Sequence, residues 1–257
     1  MMTVLQLIDP RAREPLLTLA ERAALQAAPW LVALPAQARH DVLQHGRVGT
    51  VRAGECVAAD CGGPALCGVA SGALAIRVRR PASAVVDYLP PGTWFADAGA
   101  MAQGASLLVA EAHRRAMVVT VPAAVVQELA RRHPCLHPAI LALCGGMTGR
   151  LLGILEELAT CSLQVRLARC LLRLAGSFGV AERGGVRLAL AVHQGHLAAL
   201  ARASRQRLNR ELNLLQAAGV VRIDKALLVT DLPALRAMAA SQEDWPEPLQ
   251  QPSAIGR

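Results

Sequence analysis

Residues 196–229 constrain this chain more than any other stretch, because two short helical patterns, a tight turn and two strand-like runs follow one another with almost no slack. Residues 196–201 form the first helical pattern, 202–204 the turn, and 205–217 the second. Ser204 offers the hydroxyl that a helix N-cap needs. Within the second helix Leu208, Leu212 and Leu215 recur at i, i+4 and i+7, so they share one face and pack against Leu197 and Leu200. Arg205, Gln206, Asn209 and Arg210 then project from the opposite side. Gly219 closes the helix, and residues 220–223 and 226–229, joined by Asp224-Lys225, read as a two-stranded hairpin directly behind it.

A helix of this kind fits the major groove of DNA, where its N-terminal side chains meet base edges. Arginine bridges guanine O6 and N7, and Gln or Asn bridges adenine N6 and N7. The chain is basic as a whole, with 27 Lys+Arg against 19 Asp+Glu and a net charge of +8. Lys225 is its single lysine, so the total partly reflects a preference for arginine and placement must decide. Placement favours DNA: residues 193–231 hold Arg202, Arg205, Arg207, Arg210, Arg222 and Lys225 against Glu211, Asp224 and Asp231. An ordinary helical hairpin with a solvated basic face is the alternative, and the hairpin that follows shifts the balance toward a winged helix-turn-helix.

The rest of the chain reads as two further layers. Residues 1–28 are a leader, helical or loosely ordered. Residues 34–46 carry helical punctuation, Pro35 at the start and Gly46 at the stop. From Gly49 to Val121 the pattern shortens to strands separated by Gly54, Gly62-Gly63-Pro64, Ser71-Gly72 and Pro90-Pro91-Gly92, as in a small antiparallel roll. A helical region then takes over. Ile140, Cys144, Met147, Leu151, Ile154, Leu158 and Cys161 are spaced alternately four and three apart, the apolar seam of a two-stranded coiled coil, which implies a homodimer. A helix packed on its own domain is the other reading. Gly145, Gly146, Gly149 and Gly153 lie in that helix, each costing about 0.8–1 kcal/mol relative to alanine. Either a neighbour approaches closely or the helix is marginal.

Composition excludes several classes. Seven cysteines at irregular spacing do not form a disulfide framework, so reduced thiols are expected. Asp9, Arg11, Arg13, Glu14, Glu21 and Arg22 interrupt any signal-peptide core. The longest uncharged stretch, residues 133–149, holds Pro134 and Pro138 and falls short of a membrane span. A cytoplasmic protein without a membrane partner is expected. No Gly-rich phosphate loop, nucleophile elbow or paired-histidine metal helix points to an enzyme.

Taken together, the strand roll, long helix, Ser204-Arg205-Gln206-Arg207-Leu208-Asn209-Arg210-Glu211-Leu212 and wing resemble the Crp/Fnr family of dimeric bacterial transcription regulators over about residues 29–240. The roll, including Val-Asp-Tyr-Leu-Pro-Pro-Gly-Thr-Trp-Phe at 86–95, is similar in layout and weaker in detail. The resemblance implies an α+β chain: leader 1–28, cyclic-nucleotide-binding-like antiparallel β-roll 29–135, dimerisation helix 136–163, winged helix-turn-helix 164–240, disordered tail 241–257. It places Arg205, Gln206 and Arg210 at base edges and Gln194 and Ser204 near phosphates; Asn209 joins the base-reading set from its place on the same face, Lys225 the phosphate set from the hairpin tip, and Arg202 the phosphate set as compensation for its turn. RNA polymerase is an implied partner.

Two departures matter in the helix-turn-helix. Gln206 stands where the family often has glutamate, and Arg202 where the turn usually has glycine. A left-handed Arg202 would cost of order 1 kcal/mol.

In nucleotide-binding members a glycine and glutamate pair with a downstream arginine and serine or threonine around the phosphate. Here glutamate shortens to Asp97 and arginine becomes Ser106, while Leu151 and Leu152 occupy the helix positions that usually present hydroxyls to the base. Tight cyclic AMP binding is not expected, and the natural effector is not specified. Cys56, Cys61 and Cys67 lie within the roll rather than in a leader, and Cys135 between His133 and His137, like the pair His193 and His196, lacks a four-ligand spacing. No metal or cofactor is expected. A haem- or iron–sulfur-dependent redox or gas sensor of the same architecture, and a non-specific DNA-binding or scaffold module, remain as alternatives.

Overall fold

A computed structural model describes residues 16–57, 64–80, 83–101 and 108–241. Its backbone divides into two compact units, 1–79 with 88–145, and 80–87 with 146–257.

The first unit opens with α1 (Leu19–Gln26), α2 (Pro29–Val32) and α3 (Ala36–Gln44). A capping box starts α1: Thr18 Oγ1 accepts from the Glu21 amide, and the Glu21 carboxylate accepts from Thr18 N. The same carboxylate accepts from Ser71 Oγ at 2.6 Å, which fixes α1 to the roll and holds the Glu21 pKa below its ordinary value. The leader is therefore not separate from the roll along its last residues. Leu25 is fully buried in the core, its carbonyl accepts from Trp94 Nε1 at 3.1 Å, and Trp30 meets Trp94 edge-on at 5.4 Å.

The strands β1 (Arg47–Val51), β2 (Pro64–Val78), β3 (Val85–Leu89), β4 (Trp94–Ala96) and β5 (Leu108–Pro122) form one sheet in the order β1-β5-β2-β3, with β4 also on β2. The pairings of β5 with β1 and β2, and of β4 with β2, are antiparallel. Register shifts between Val69 and Leu74 bend the long β2–β5 ribbon, as a roll requires. Helices α4 (Ala98–Met101) and α5 (Ala123–Arg132) follow, and Val126 and Leu129 of α5 enter the same core as Leu66, Val119 and Val121.

Helix α6 (Leu136–Thr160) runs without a break for 25 residues. The second unit adds α7 (Leu163–Phe178), the hairpin β6 (Gly179–Glu182) and β7 (Gly185–Leu188), helices α8 (Gln194–Leu200) and α9 (Arg205–Ala217), the hairpin β8 (Val221–Ile223) and β9 (Leu227–Val229), and α10 (Leu232–Ala240). Its sheet order is β6-β7-β9-β8. Side-chain caps start three of these helices: Ser162 on α7, Ser204 on α9 and Asp231 on α10. Gly219 takes a φ of +71° just beyond α9, which turns the chain into the wing. Of the expected tail only Ser241, the cap of α10, is a described residue.

Candidate nucleic-acid interface

The second unit presents α9 through an apolar floor. Leu208, Leu212 and Leu215 are buried together with Leu197, Ala198 and Leu200 of α8, so α9 cannot rotate without exposing them. Burying each leucine contributes about 1.5–3 kcal/mol. Ser204 Oγ accepts from the Arg207 amide at 3.3 Å and sets where the helix starts.

On the outward side Arg205, Gln206 and Arg210 are exposed, as expected of side chains that would reach base edges. Asn213, which sequence reasoning passed over, is exposed as well and continues the line Gln206, Arg210, Asn213 at i, i+4, i+7. Its signal was available in that spacing. Asn209 differs from its expected placement: it is half-buried, and its Oδ1 is buried without a hydrogen-bond partner. Around the helix it lies about forty degrees from Arg205, between Arg205 and the line Gln206, Arg210, Asn213, so its cover does not come from its angle to the floor.

Gln194 is the exposed first residue of α8, and Gly195 beside it leaves space that Arg205 fills: a Cβ on Gly195 would stand 3.2 Å from Arg205 Nη2. Lys225 is exposed at the tip between β8 and β9, beside exposed Asp224 and Arg222.

Arg202 requires a correction. Its φ is +56°, the only positive value at a non-glycine among the described residues, so the turn does keep the left-handed geometry. Its guanidinium, however, is not presented to solvent as a phosphate contact. It donates to the carbonyls of Ala199 at 2.6 Å, Val85 at 3.2 Å and Val86 at 3.0 Å, and burial draws its pKa below the ordinary arginine value. Three carbonyl bonds offset the backbone strain.

The expected seam of helix α6 coincides only in part with the apolar surface left exposed. Ile140 is 7% exposed and belongs to the roll core, which removes it from any seam. Cys144, Met147, Leu151, Ile154 and Cys161 are half-buried within their own chain, and of the expected set only Leu158 is exposed. The exposed stripe lies one residue later: Leu141 (71% exposed), Gly145, Thr148, Leu152 (60%), Leu155 (60%) and Ala159, again spaced four and three. Leu152 is thus on the outer stripe, and Leu151 is half-buried beside it. Helix α6 is long and apolar enough to cross a membrane by length and composition, contrary to the sequence expectation, although Arg150, Glu156 and Glu157 interrupt it.

Asp97 sits between β4 and α4, its amide donating to Ala65 O at 2.9 Å. Ser106 and Cys61 lie outside the described residues. Cys67 is fully buried, which pushes its thiol far above the ordinary range, whereas Cys56 is exposed. No group of three metal-ligating side chains occurs among the described residues.

Residues 165–238, the span holding α7 to α10, match the Crp-like helix-turn-helix domain. This chain therefore contains a Crp-like helix-turn-helix domain. The same order of parts, a β-roll, a long helix and a helix-turn-helix, recurs in solved structures of Crp/Fnr transcription regulators. A candidate cyclic nucleotide binding protein from Ruegeria pomeroyi is 25% identical, covering 86% of this chain and 98% of its own, with a TM-score of 0.63. FixK2 from Bradyrhizobium japonicum is 17% identical over 76% of this chain and 98% of its own, with a TM-score of 0.64. The c-di-GMP responsive global regulator CLP of Xanthomonas campestris is 21% identical over 77% of this chain and 100% of its own, at 0.61. No curated protein matches the sequence.

Proposed function

We propose that this chain is a sequence-specific transcription regulator of the Crp/Fnr type, not an enzyme, that acts in the cytoplasm as a homodimer on an inverted-repeat DNA site. The observation that carries this reading is the exposed line Gln206, Arg210 and Asn213, with Arg205 at its edge, held outward by buried Leu208, Leu212 and Leu215. Arg205 and Arg210 would read guanine, and Gln206 would favour adenine where a glutamate would accept from cytosine N4. Gln194, Ser204 and Lys225 would position the protein on phosphates without reading sequence. RNA polymerase is the proposed protein partner.

The exposed stripe Leu141, Leu152 and Leu155 is covered by the same stripe of a second copy, and Gly145 and Gly149, whose Cβ positions meet nothing within 4 Å, let the two backbones approach. A coiled-coil partner explains the apolar exposure of α6 better than lipid does, because Arg150 and Glu157 are in the same helix and Glu157 pairs with Arg173 at 3.2 Å. The roll acts as an effector sensor that has lost the arginine usually facing a cyclic-nucleotide phosphate, with Asp97 in place of glutamate. Binding of an effector shifts the population between arrangements of the α6 pair and so the spacing of the two α9 helices.

Selection from random duplexes by the full chain tests the reading. An enriched inverted repeat with half-site centres about 34–36 Å apart is the expected result. Recovery of unrelated sequences with no repeat would instead favour a non-specific DNA-binding module.

A further inference from the structure

Gly153 stands in the interior of α6, where glycine weakens a helix relative to alanine. Packing does not demand it, since a Cβ there would meet no atom within 4 Å. What it borders is a cavity of about 210 Å³ lined entirely by residues of the second unit. A side chain at this position would take up part of that space.

The cavity has two kinds of wall. Ile154, Leu174 and Leu200 make it apolar, together with Cys170, whose thiol burial pushes up to about 12 and so keeps neutral. Its charged members are Arg150 and Arg173 on one side of the balance and Asp87 and Glu157 on the other. Arg150 Nη1 lies 3.5 Å from Asp87 Oδ2, longer than the roughly 2.7–2.9 Å of a closed charge-assisted bond. Arg173 Nη1 is 3.2 Å from Glu157 Oε1, and Glu157 has a second cation, Arg169, at 3.8 Å. Each pair engages a single nitrogen of its cavity-lining guanidinium, which carries five N–H donors.

Two cations and two anions around one opening give a bare anion or a bare cation no net advantage. A molecule carrying both signs gains twice. We propose that this cavity is a binding site for a free amino acid or a similar small zwitterion, with its carboxylate at Arg150 and Arg173, its ammonium toward Asp87 and Glu157, and an apolar side chain on Leu174 and Leu200. The size agrees: 210 Å³ is several times the roughly 30 Å³ of a water molecule and below the roughly 300–1,000 Å³ of drug-sized sites. Because the walls come from α6, α7 and α8 together with Val86 and Asp87 of β3, an occupant touches the helix that leads toward the DNA-binding module and the floor on which α9 rests.

Thermal unfolding of the full chain against a panel of L-amino acids, with acetate plus methylammonium as control, reads occupancy without any DNA. Failure here is therefore distinct from failure of the DNA-binding reading. At least one apolar L-amino acid should raise Tm saturably, and its N-acetyl derivative should not. Gly153→Leu should fold with an undiminished Tm and lose the response; Arg173→Gln should weaken binding by about tenfold. The proposal is overturned if no amino acid exceeds the control, if the N-acetyl form binds equally, or if the response survives Gly153→Leu.

Discussion

Arg205, the first residue of α9, lies against the backbone of Gly195 in α8: a Cβ on Gly195 would come within 3.2 Å of Nη2 and 3.3 Å of Nε. The absence of a side chain at 195 therefore sets where the guanidinium rests. Gly195→Ala should leave stability unchanged or slightly raised, since alanine is the better helix former by about 1 kcal/mol. It should also displace Arg205 and reduce the preference for a selected DNA site over a scrambled one. Parallel Tm and fluorescence-anisotropy measurements check this, and a change in Tm with selectivity intact would contradict it.

The two candidate roles of Arg202 separate by salt. Removing a side chain that neutralises a phosphate reduces the slope of log K against log salt by about 1. Because the guanidinium is bonded to the carbonyls of Ala199, Val85 and Val86, Arg202→Gly should leave that slope unchanged while lowering Tm. Glycine relieves about 1 kcal/mol of left-handed strain, but three hydrogen bonds disappear with the guanidinium.

Helix α6 makes a paired prediction. Leu155→Glu should convert a dimer to monomer by sedimentation with little change in the folding of the roll, since Leu155 is exposed in its own chain. Ile140→Ala should do the reverse, destabilising the fold by about 2–5 kcal/mol while association of the folded protein persists. Equal effects of the two on association would restore the seam through Ile140.

The expected stripe and the exposed one differ by one residue for a physical reason. Ile140-Leu141, Leu151-Leu152 and Ile154-Leu155 are adjacent apolar pairs, so heptads can be drawn through either member. The more regularly apolar register lines the chain's own interior, and the one with Gly145, Thr148 and Ala159 is left outside. The helix-turn-helix was legible because its floor, cap and turn each had a single consistent spacing. Arg202 was legible as a backbone and not as a side chain: its left-handed turn follows from position, whereas its partners Val85 and Val86 are more than a hundred residues away. No strand was expected at β6 and β7, although Val180, Val186 and Leu188 flank the two-residue turn Arg183-Gly184. Asn209 shows the limit of a helical projection, which gives an angle and not the depth at which an amide is covered.

Asp41 of α3 and His133 at the end of α5 meet at 2.8 Å, and the hydrogen bond to His133 holds the Asp41 pKa below its ordinary value. A depressed carboxyl pKa contributes stability that is fully present above the unfolded value, about 3.9, and lost as pH falls through the folded one. Wild type should therefore exceed Asp41→Asn in Tm at neutral pH, with the gap closing as pH drops from about 5 through the folded pKa. A gap independent of pH would show that the carboxylate's charge plays no part.

The most direct test of the account is Arg210→Ala measured on the selected duplex and on random duplex at one salt concentration. Presentation of α9 to base edges predicts a loss of about 1–3 kcal/mol on the selected site, relaxed preference at one base position, and little change on random DNA. An equal loss on both would mean that Arg210 meets only the phosphate backbone and that α9 does not read sequence.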